Sequence, residues 1–429
     1  ALADEHEVVV VDKDAERLER LRSEADVLTY EGDGAKVETL EAARVPTADL
    51  VIGSTNDDRS NILICSTARA LHEDAFTIAR VTETEYLATW SQLRDAFNVD
   101  FMVGADYLTA LNVVDVAGHP TAQDVEFFGD GQVEMAEYTI SSGSPLANQS
   151  VRSLDLDASV NLVALCDDDQ LEVVRGDTRL RPEARLLVIG RPEAIRRFGV
   201  RIAPVARNGT ARHVIILGGG EIGYQTARMF EERGVEPRLV ENNPERAHEL
   251  AQALPNTLVL QDDATDPDFL RREGVPDADL VVAAVTPDER NLLASLLAQE
   301  LGAEQVASVV HNGAYESLFT SSGIDITVNP RREVIEEILR HTRKKGVEKL
   351  TFIEHMRGEV LELELDESSA LVGRPLEEAV PDVPHEFVVG AVVRNRRVVI
   401  PRGQTVLQAG DHVVVFVDVE RSKEVLEVL

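Results

Sequence analysis

His213-Val-Ile-Ile-Leu-Gly-Gly-Gly-Glu-Ile-Gly-Tyr224 is the stretch on which the reading of this chain turns. A short run rich in Val and Ile stops at Leu217, and Gly218, Gly220 and Gly223 then form a G-x-G-x-x-G. Gln225 to Arg233 reads as a helix closed by Gly234. A second apolar strand, Glu236 to Val240, ends on Glu241, 18 residues after Gly223. Strand, glycine turn, helix, strand and acid are the parts of a Rossmann βαβ unit. The first glycine turns tightly, the second lets backbone approach a diphosphate, and the third lets helix and strand pack closely. The helix N-terminus offers free N–H groups and a positive dipole end to phosphates. A carboxylate at 241 accepts hydrogen bonds from the adenosine ribose hydroxyls and repels a 2′-phosphate. A glycine-rich turn alone would be weak evidence; the strand before it, the helix after it and the acid at the expected spacing carry the reading.

The same pattern runs earlier in the chain without its beginning. His6 to Asp12 (HEVVVVD) reads as a buried parallel strand ending in an acid, and it matches Val235 to Glu241, so Asp12 stands where Glu241 does. Asp14-Ala-Glu-Arg17 answers Asn243-Pro-Glu-Arg246, and Val45-Pro-Thr-Ala-Asp-Leu50 answers Val275-Pro-Asp-Ala-Asp-Leu280. Asp57-Asp-Arg-Ser-Asn61 answers Pro287-Asp-Glu-Arg-Asn291. Self-similarity at a spacing of 229–230 residues means a duplicated domain. Copy one lacks the first strand and glycine loop, so the natural chain is expected to begin upstream of Ala1.

Strands are expected near 7–12, 27–30, 49–54, 76–81 and 100–103 in copy one. In copy two they are expected near 213–217, 236–241, 257–260, 279–285, 305–310 and 325–328. Continuously apolar strands such as Asp279 to Val285 suit a parallel sheet covered on both faces. Helices are expected after each sheet, over Ala105 to Val116 and Arg331 to Thr342. From about Val133 and again from about Lys349, strands shorten and turns multiply. Ser144 to Leu154 resembles Ser369 to Ala379, and Arg175-Gly-Asp-Thr178 resembles Arg402-Gly-Gln-Thr405, so this small module is duplicated too. The fold class is α/β: two Rossmann-like parallel-sheet domains (N-lobes), each followed by a small α+β C-lobe. The expected limits are 1–118 and 125–200 for the first pair, 201–212 for a linker, and 213–342 and 349–429 for the second pair.

Composition removes several function classes. The net charge is −34, from 77 acidic and 43 basic residues, which disfavours general nucleic-acid binding. A hydrophobic content of 44% with regular periodicity argues against an acidic disordered chain. Only six basic residues are Lys, and an acidic, Lys-poor folded chain fits a halophilic cytoplasm, where salt screens such charge. Cys65 and Cys166 are far apart in sequence and imply neither a disulfide framework nor a metal cluster. No run of apolar residues is long enough to span a bilayer, so a soluble, cytoplasmic protein without direct membrane insertion is expected.

These motifs in this tandem order resemble a known family, the TrkA regulatory proteins of Trk-type potassium uptake. That family is built from two RCK (regulator of potassium conductance) units, each with a Rossmann-like N-lobe and a small C-lobe. The resemblance rests on Gly218-x-Gly-x-x-Gly223, Asp263-Ala-Thr265, Ala278-Asp-Leu280, Asp288-Glu-Arg-Asn291 and the A–B–A′–B′ order. It implies a non-enzymatic regulator that binds NAD (NAD+ or NADH) or ATP/ADP. It also implies a homo-oligomer, a dimer or tetrameric ring, peripheral to the inner face of the membrane on a TrkH-type potassium-transport subunit.

Carried over residue by residue, the resemblance places Gly218, Gly220 and Gly223 around the phosphates, with Ile222 packing beneath the loop and Glu221 among the cofactor-binding positions. Glu241 holds the ribose, Asp263 and Ala264 line the adenine, and Thr286 and Asn291 lie past the fourth strand. In copy one the matching positions are Asp12, Asp33, Gly34, Thr55 and Asn56. Arg80 fits the family's phosphate-facing arginine, where copy two has Val309.

Plainer roles compete for some of these residues. Asp33 and Asp263 would also serve as helix caps, Asn61 and Asn291 as braces of the preceding loop, and Arg80 as the partner of a surface acid. Two other functions compete as well. An NAD-dependent dehydrogenase needs a proton donor on a substantial substrate domain, and the C-lobes offer no evident acid–base pair. A free-standing nucleotide sensor would keep the pocket and lack the transporter.

Overall fold

The computed structural model describes residues 3, 6–117, 119, 122–167, 170–202, 211–342, 347–353, 358–380 and 387–426. Residues 203–210 of the expected linker lie outside the described residues. The chain divides into two compact units, Ala1–Leu108 with Pro330–Thr342, and Thr109–Asn329 with Arg343–Leu429.

In the first unit, β1 (Val9–Asp12) pairs in parallel with β2 (Leu28–Glu31). A separate parallel ladder runs β3 (Leu50–Gly53), β4 (Phe76–Val81), β5 (Phe101–Gly104). All five strands fall where the sequence places them. The counterpart of the 213–217 strand is not among the described residues. The helix Pro330–Thr342 belongs to this unit: its Val334 and Ile338 pack with Ile78, Val103 and Ala105 in one apolar cluster. The sequence reading grouped this helix with residues 213–342, because adjacency in the chain was the only guide. Its apolar stripe is instead buried on the other copy's sheet, which hydrophobic patterning alone cannot reveal.

The second unit holds both C-lobes and the complete N-lobe. The first C-lobe comprises β6 (Ala122–Phe128), β7 (Val133–Thr139), β8 (Val160–Asp167), β9 (Gln170–Val173) and β10 (Arg185–Gly190), in the sheet order β6-β7-β10-β8-β9. The N-lobe strands are β11 (Val214–Leu217), β12 (Arg238–Glu241), β13 (Leu258–Gln261), β14 (Leu280–Ala283), β15 (Val306–Val309) and β16 (Ile326–Val328). The second C-lobe repeats the first with β17 (Val347–Ile353), β18 (Gly358–Glu364), β19 (Phe387–Arg394), β20 (Arg397–Val399) and β21 (His412–Asp418), in the order β17-β18-β21-β19-β20.

The two C-lobes share one core. Phe128, Met135 and Leu187 of the first and Val360, Val414 and Phe416 of the second lie in a single buried cluster. Fully burying a side chain of this kind contributes about 1.5–3 kcal/mol, so neither sheet carries its inner face to water. Cys166 lies in that cluster. Polar contacts cross the same boundary: Arg191 Nη2 donates to the Val398 carbonyl at 2.8 Å, and Lys349 Nζ pairs with Glu126 Oε2 at 2.6 Å.

The N-lobe sheet is parallel throughout and runs β13-β12-β11-β14-β15-β16. Numbered within the lobe this is 3-2-1-4-5-6, the doubly wound order, whose direction reverses between β11 and β14. All residues of β11 and β14 are buried, which is why both read as unbroken apolar runs.

Candidate functional site

The crevice at that reversal is built from the carboxyl ends of β11, β12, β13 and β14. Gly218 follows β11 with φ +113°, a conformation that favours glycine, and a Cβ there would lie 2.5 Å from the Ala284 carbonyl oxygen. Its N–H donates to the Val240 carbonyl at 2.8 Å, which ties the loop to β12. A Cβ on Gly223 would lie 1.9 Å from the Gly218 carbonyl oxygen, so this glycine lets the helix close onto the strand. A Cβ on Gly220 would meet nothing within 4 Å. The first and third glycines answer to protein contacts, whereas the second borders open space.

The helix runs Glu221–Glu232, with Gly220 as its N-cap and no side chain bonded to the cap. It starts earlier than the 225–233 read from sequence. Glycine disfavours helix interiors, so the sequence reading began the helix past Gly223. Close packing against Gly218 puts that glycine in the first turn instead. A glycine N-cap brings no capping side chain of its own, so this helix start suits a phosphate. Ile222 is buried, as expected, and Glu221 Oε1 accepts from Gln225 Nε2 at 2.7 Å.

Glu241 ends β12 with its carboxylate held in place. Oε2 accepts the Gly219 N–H at 2.9 Å and Oε1 accepts the Asn243 N–H at 2.7 Å. Each oxygen keeps lone-pair capacity for a ribose hydroxyl. In copy one Asp12 Oδ1 accepts the Asp14 N–H at 2.9 Å, the same local device.

Asp263 caps no helix. Its Oδ1 accepts the Thr265 N–H at 2.9 Å and hydroxyl at 2.7 Å, and Arg290 Nη2 reaches it at 2.6 Å. The Thr265 hydroxyl and N–H, then the Arg290 guanidinium, hold its carboxyl below the usual aspartate range. The following helix is capped by Asp266. Asp33 likewise closes a turn on the Ala35 N–H at 3.1 Å and pairs with Lys13 at 3.2 Å. Gly34 beside it is half-buried. Arg290 was missed as a site residue although its motif was read; the signal was a basic residue in the turn opening a helix beside the crevice.

Two motif positions turn into the protein rather than toward the crevice. Ala264 is 5% exposed and its side chain packs into the N-lobe core with Leu217, Val240 and Phe269, which leaves only its backbone to line the crevice. Asn291 is fully buried and its amide is already used. Oδ1 accepts the Val285 N–H at 2.6 Å and Nδ2 donates to the Val309 carbonyl at 2.9 Å. It braces the ends of β14 and β15 beneath the crevice. Asn61 does the same in copy one, between Thr55 N (2.6 Å) and the Arg80 carbonyl (2.8 Å). Thr286 is exposed just past β14.

In copy one Thr55 and Asn56 are exposed past β3, and Arg80 is half-buried near the carboxyl end of β4. Unlike the surface pairing that sequence left open, the Arg80 side chain makes no ion pair among the described residues. Among them there is also no His/Cys/Asp/Glu group able to hold a metal. No helix among them is long and apolar enough to cross a membrane.

Fold and site define a tandem RCK-type protein with a Rossmann-like cleft in its complete N-lobe. The TrkA-N domain model matches residues 1–100 and 214–330, and the TrkA-C domain model matches 135–209 and 360–429. The chain is 34% identical to "Trk system potassium uptake protein TrkA homolog 1" of Methanosarcina mazei, covering 99% of this chain and 95% of that protein. It is 30% identical to "Trk system potassium uptake protein TrkA" of Halomonas elongata, covering 98% and 93%. Among solved structures it is similar to the GsuK channel bound to NAD, with TM-score 0.60 and 18% identity over 99% of this chain and 75% of that one. The chain belongs to the TrkA family. These relatives are potassium uptake proteins rather than oxidoreductases, and the dehydrogenase reading falls with that.

Proposed function

We propose that this chain is a cytoplasmic regulatory subunit that reads an adenine nucleotide and sets the activity of a membrane potassium-transport subunit of the TrkH type. The observation that carries the reading is the 3-2-1-4-5-6 sheet with Gly220 bordering open space and Glu241 fixed beside it at the reversal point. Gly220 and the helix N-terminus would take a diphosphate, Glu241 the adenosine ribose, Asp263 the adenine side and Thr286 the far side. NAD+ and NADH differ by a positive charge and a planar ring, and ATP and ADP by one phosphate. Glu241 meets the ribose common to all four, so selection among them falls to groups further along the cleft. The names of the relatives and the NAD-bound neighbour of the same fold support the reading.

A ligand moves a conformational equilibrium only as far as it prefers one state. Going from 1:99 to 99:1 takes about a 10⁴-fold preference. The helix carrying the glycine loop is followed by Arg233, which donates to the Val114 carbonyl at 2.8 Å and pairs with Asp115 at the end of the helix Ala105–Val116. A change at the helix N-terminus would reach the first C-lobe along that contact, and assembly as a homo-oligomer would pass it to neighbouring subunits.

Calorimetric titration of NAD+, NADH, ATP and ADP into the protein and into a Gly220→Asp variant tests the cleft. Binding by the wild type with loss in the variant supports it, and equal affinities reject it. Nucleotide-dependent capture of the membrane subunit separates a transport regulator from a free-standing sensor.

A further inference from the structure

The two carboxylate oxygens of Asp263 are not equivalent. Oδ1 accepts the Thr265 N–H at 2.9 Å, the Thr265 hydroxyl at 2.7 Å and Arg290 Nη2 at 2.6 Å. Oδ2 accepts no hydrogen bond among the described residues. A carboxylate has about four acceptor sites, so Oδ1 is filled while Oδ2 keeps its full capacity. Two of the three donors belong to Thr265, in the same turn as Asp263. Arg290 reaches in from elsewhere: it lies in the first turn of the helix Asp288–Leu301, which follows β14, whereas Asp263 follows β13. Two strands stand between β13 and β14 in the sheet. Among the described residues the Arg290 guanidinium bonds to nothing but Asp263.

Both ends of this contact grow from anchored backbone. On the β13 side the Asp266 N–H donates to the Asp263 carbonyl at 3.0 Å, and the intervening Ala264 is buried. On the β14 side the Arg290 N–H donates to the Pro287 carbonyl at 2.9 Å, and the next residue, Asn291, braces the ends of β14 and β15. An arm and a carboxylate held in this way meet in one orientation.

We propose that Arg290 is a positioning residue for base recognition: together with Thr265 it occupies Oδ1 of Asp263 and leaves Oδ2 to select a purine that carries a 6-amino group. The inference rests on the nucleotide reading above, in which Asp263 takes the adenine side of the cleft. The Thr265 donors, then Arg290, also hold the carboxyl below the usual aspartate range, so it stays ionised and can only accept. A 6-amino group donates to such an oxygen. A 6-oxo purine turns a carbonyl oxygen toward it instead, and two acceptors repel. A site that hydrogen-bonds an N–H discriminates against the analogue lacking it more sharply than an apolar wall does. The side chains of Asp263 and Arg290 are 50% and 38% exposed, so the ion pair adds little to stability and acts through orientation.

Calorimetric titration of ADP and inosine diphosphate, which differ only at the 6 position of the base, tests this in the wild type, Arg290→Ala, Arg290→Lys and Asp263→Asn. The wild type should prefer ADP by roughly tenfold or more, as one hydrogen bond to a charged group allows. Arg290→Ala frees the carboxylate to turn and should cut the preference to about threefold or less, and Arg290→Lys should restore part of it. Asp263→Asn, whose amide also donates, should lose the preference or reverse it. The readout is a ratio within each variant, so a general weakening of binding does not imitate it. An unchanged ratio in Arg290→Ala, loss of both ligands there, or a wild type that binds the two equally overturns the proposal alone. Failure of the wild type to bind either ligand rejects the nucleotide reading as well.

Discussion

The Gly129 N–H donates to the carboxylate of Glu362, at 2.9 and 3.1 Å to its two oxygens, and the bond joins the two C-lobes. Gly129 sits in the turn after β6 with φ +57°, and Glu362 is 6% exposed on β18. A buried carboxylate is tolerable only where donors meet it. Glu362→Ala should lower the unfolding free energy by about 1.5–3 kcal/mol, the range for a hydrogen bond to a charged group. Urea denaturation followed by circular dichroism measures it. An unchanged midpoint would show that the contact does not hold the lobes.

Asn291 and Asn61 each tie together the backbone after one strand and the end of the next. Asn291→Ala leaves the Val285 N–H and the Val309 carbonyl without their partner, and about 2–4 kcal/mol of stability should be lost. Because Thr286 follows the freed residue, nucleotide affinity should fall with it. Thermal melts paired with titration calorimetry read both, and a loss of affinity without loss of stability would place Asn291 on the ligand after all.

The glycines should separate by their surroundings. Gly223→Ala drives a methyl into the Gly218 carbonyl and should unfold or rearrange the N-lobe. Gly220→Ala meets no protein atom and should change stability by under about 1 kcal/mol. It should nonetheless weaken nucleotide binding if a diphosphate approaches there. Comparable melting temperatures for the two variants would contradict the packing described.

Asp288 gives a pH signature. Burial alone would raise its pKa, but the N–H groups of His311 (3.1 Å) and Asn312 (2.9 Å) and the His311 ring outweigh that and hold it below the usual range. A carboxyl with a depressed folded pKa adds stability above its unfolded value of about 3.9, and loses it as pH falls through the folded value. Asp288→Asn should therefore cost about 1–3 kcal/mol near pH 7, and the gap to wild type should close below about pH 4. A gap that stays constant from pH 3 to 7 would rule this out.

Much of this architecture was legible in the sequence because it is written in short-range signals. The glycine spacing, the apolar strands and the 229–230-residue repeat each act locally, and the strands fell where they pointed. What escaped depends on contacts between distant segments. Val334 and Ile338 read only as an apolar stripe, which says that a surface is covered and not by which sheet. Asn291 and Ala264 lie in motif positions beside the crevice, but whether a side chain points up to ligand or down into the core is set by packing.

The common core of the two C-lobes has a consequence for how such a molecule ages in evolution and in dilute solution. Subunits that meet only by collision separate when their concentration drops, whereas a tether turns the same encounter into an intramolecular one. Here Val360 and Met135 stay neighbours however dilute the protein becomes. The duplicated halves are thereby released from having to be identical, as partners in a symmetric pair must be. One is free to drift toward reading a ligand while the other keeps only the shape that its sibling needs.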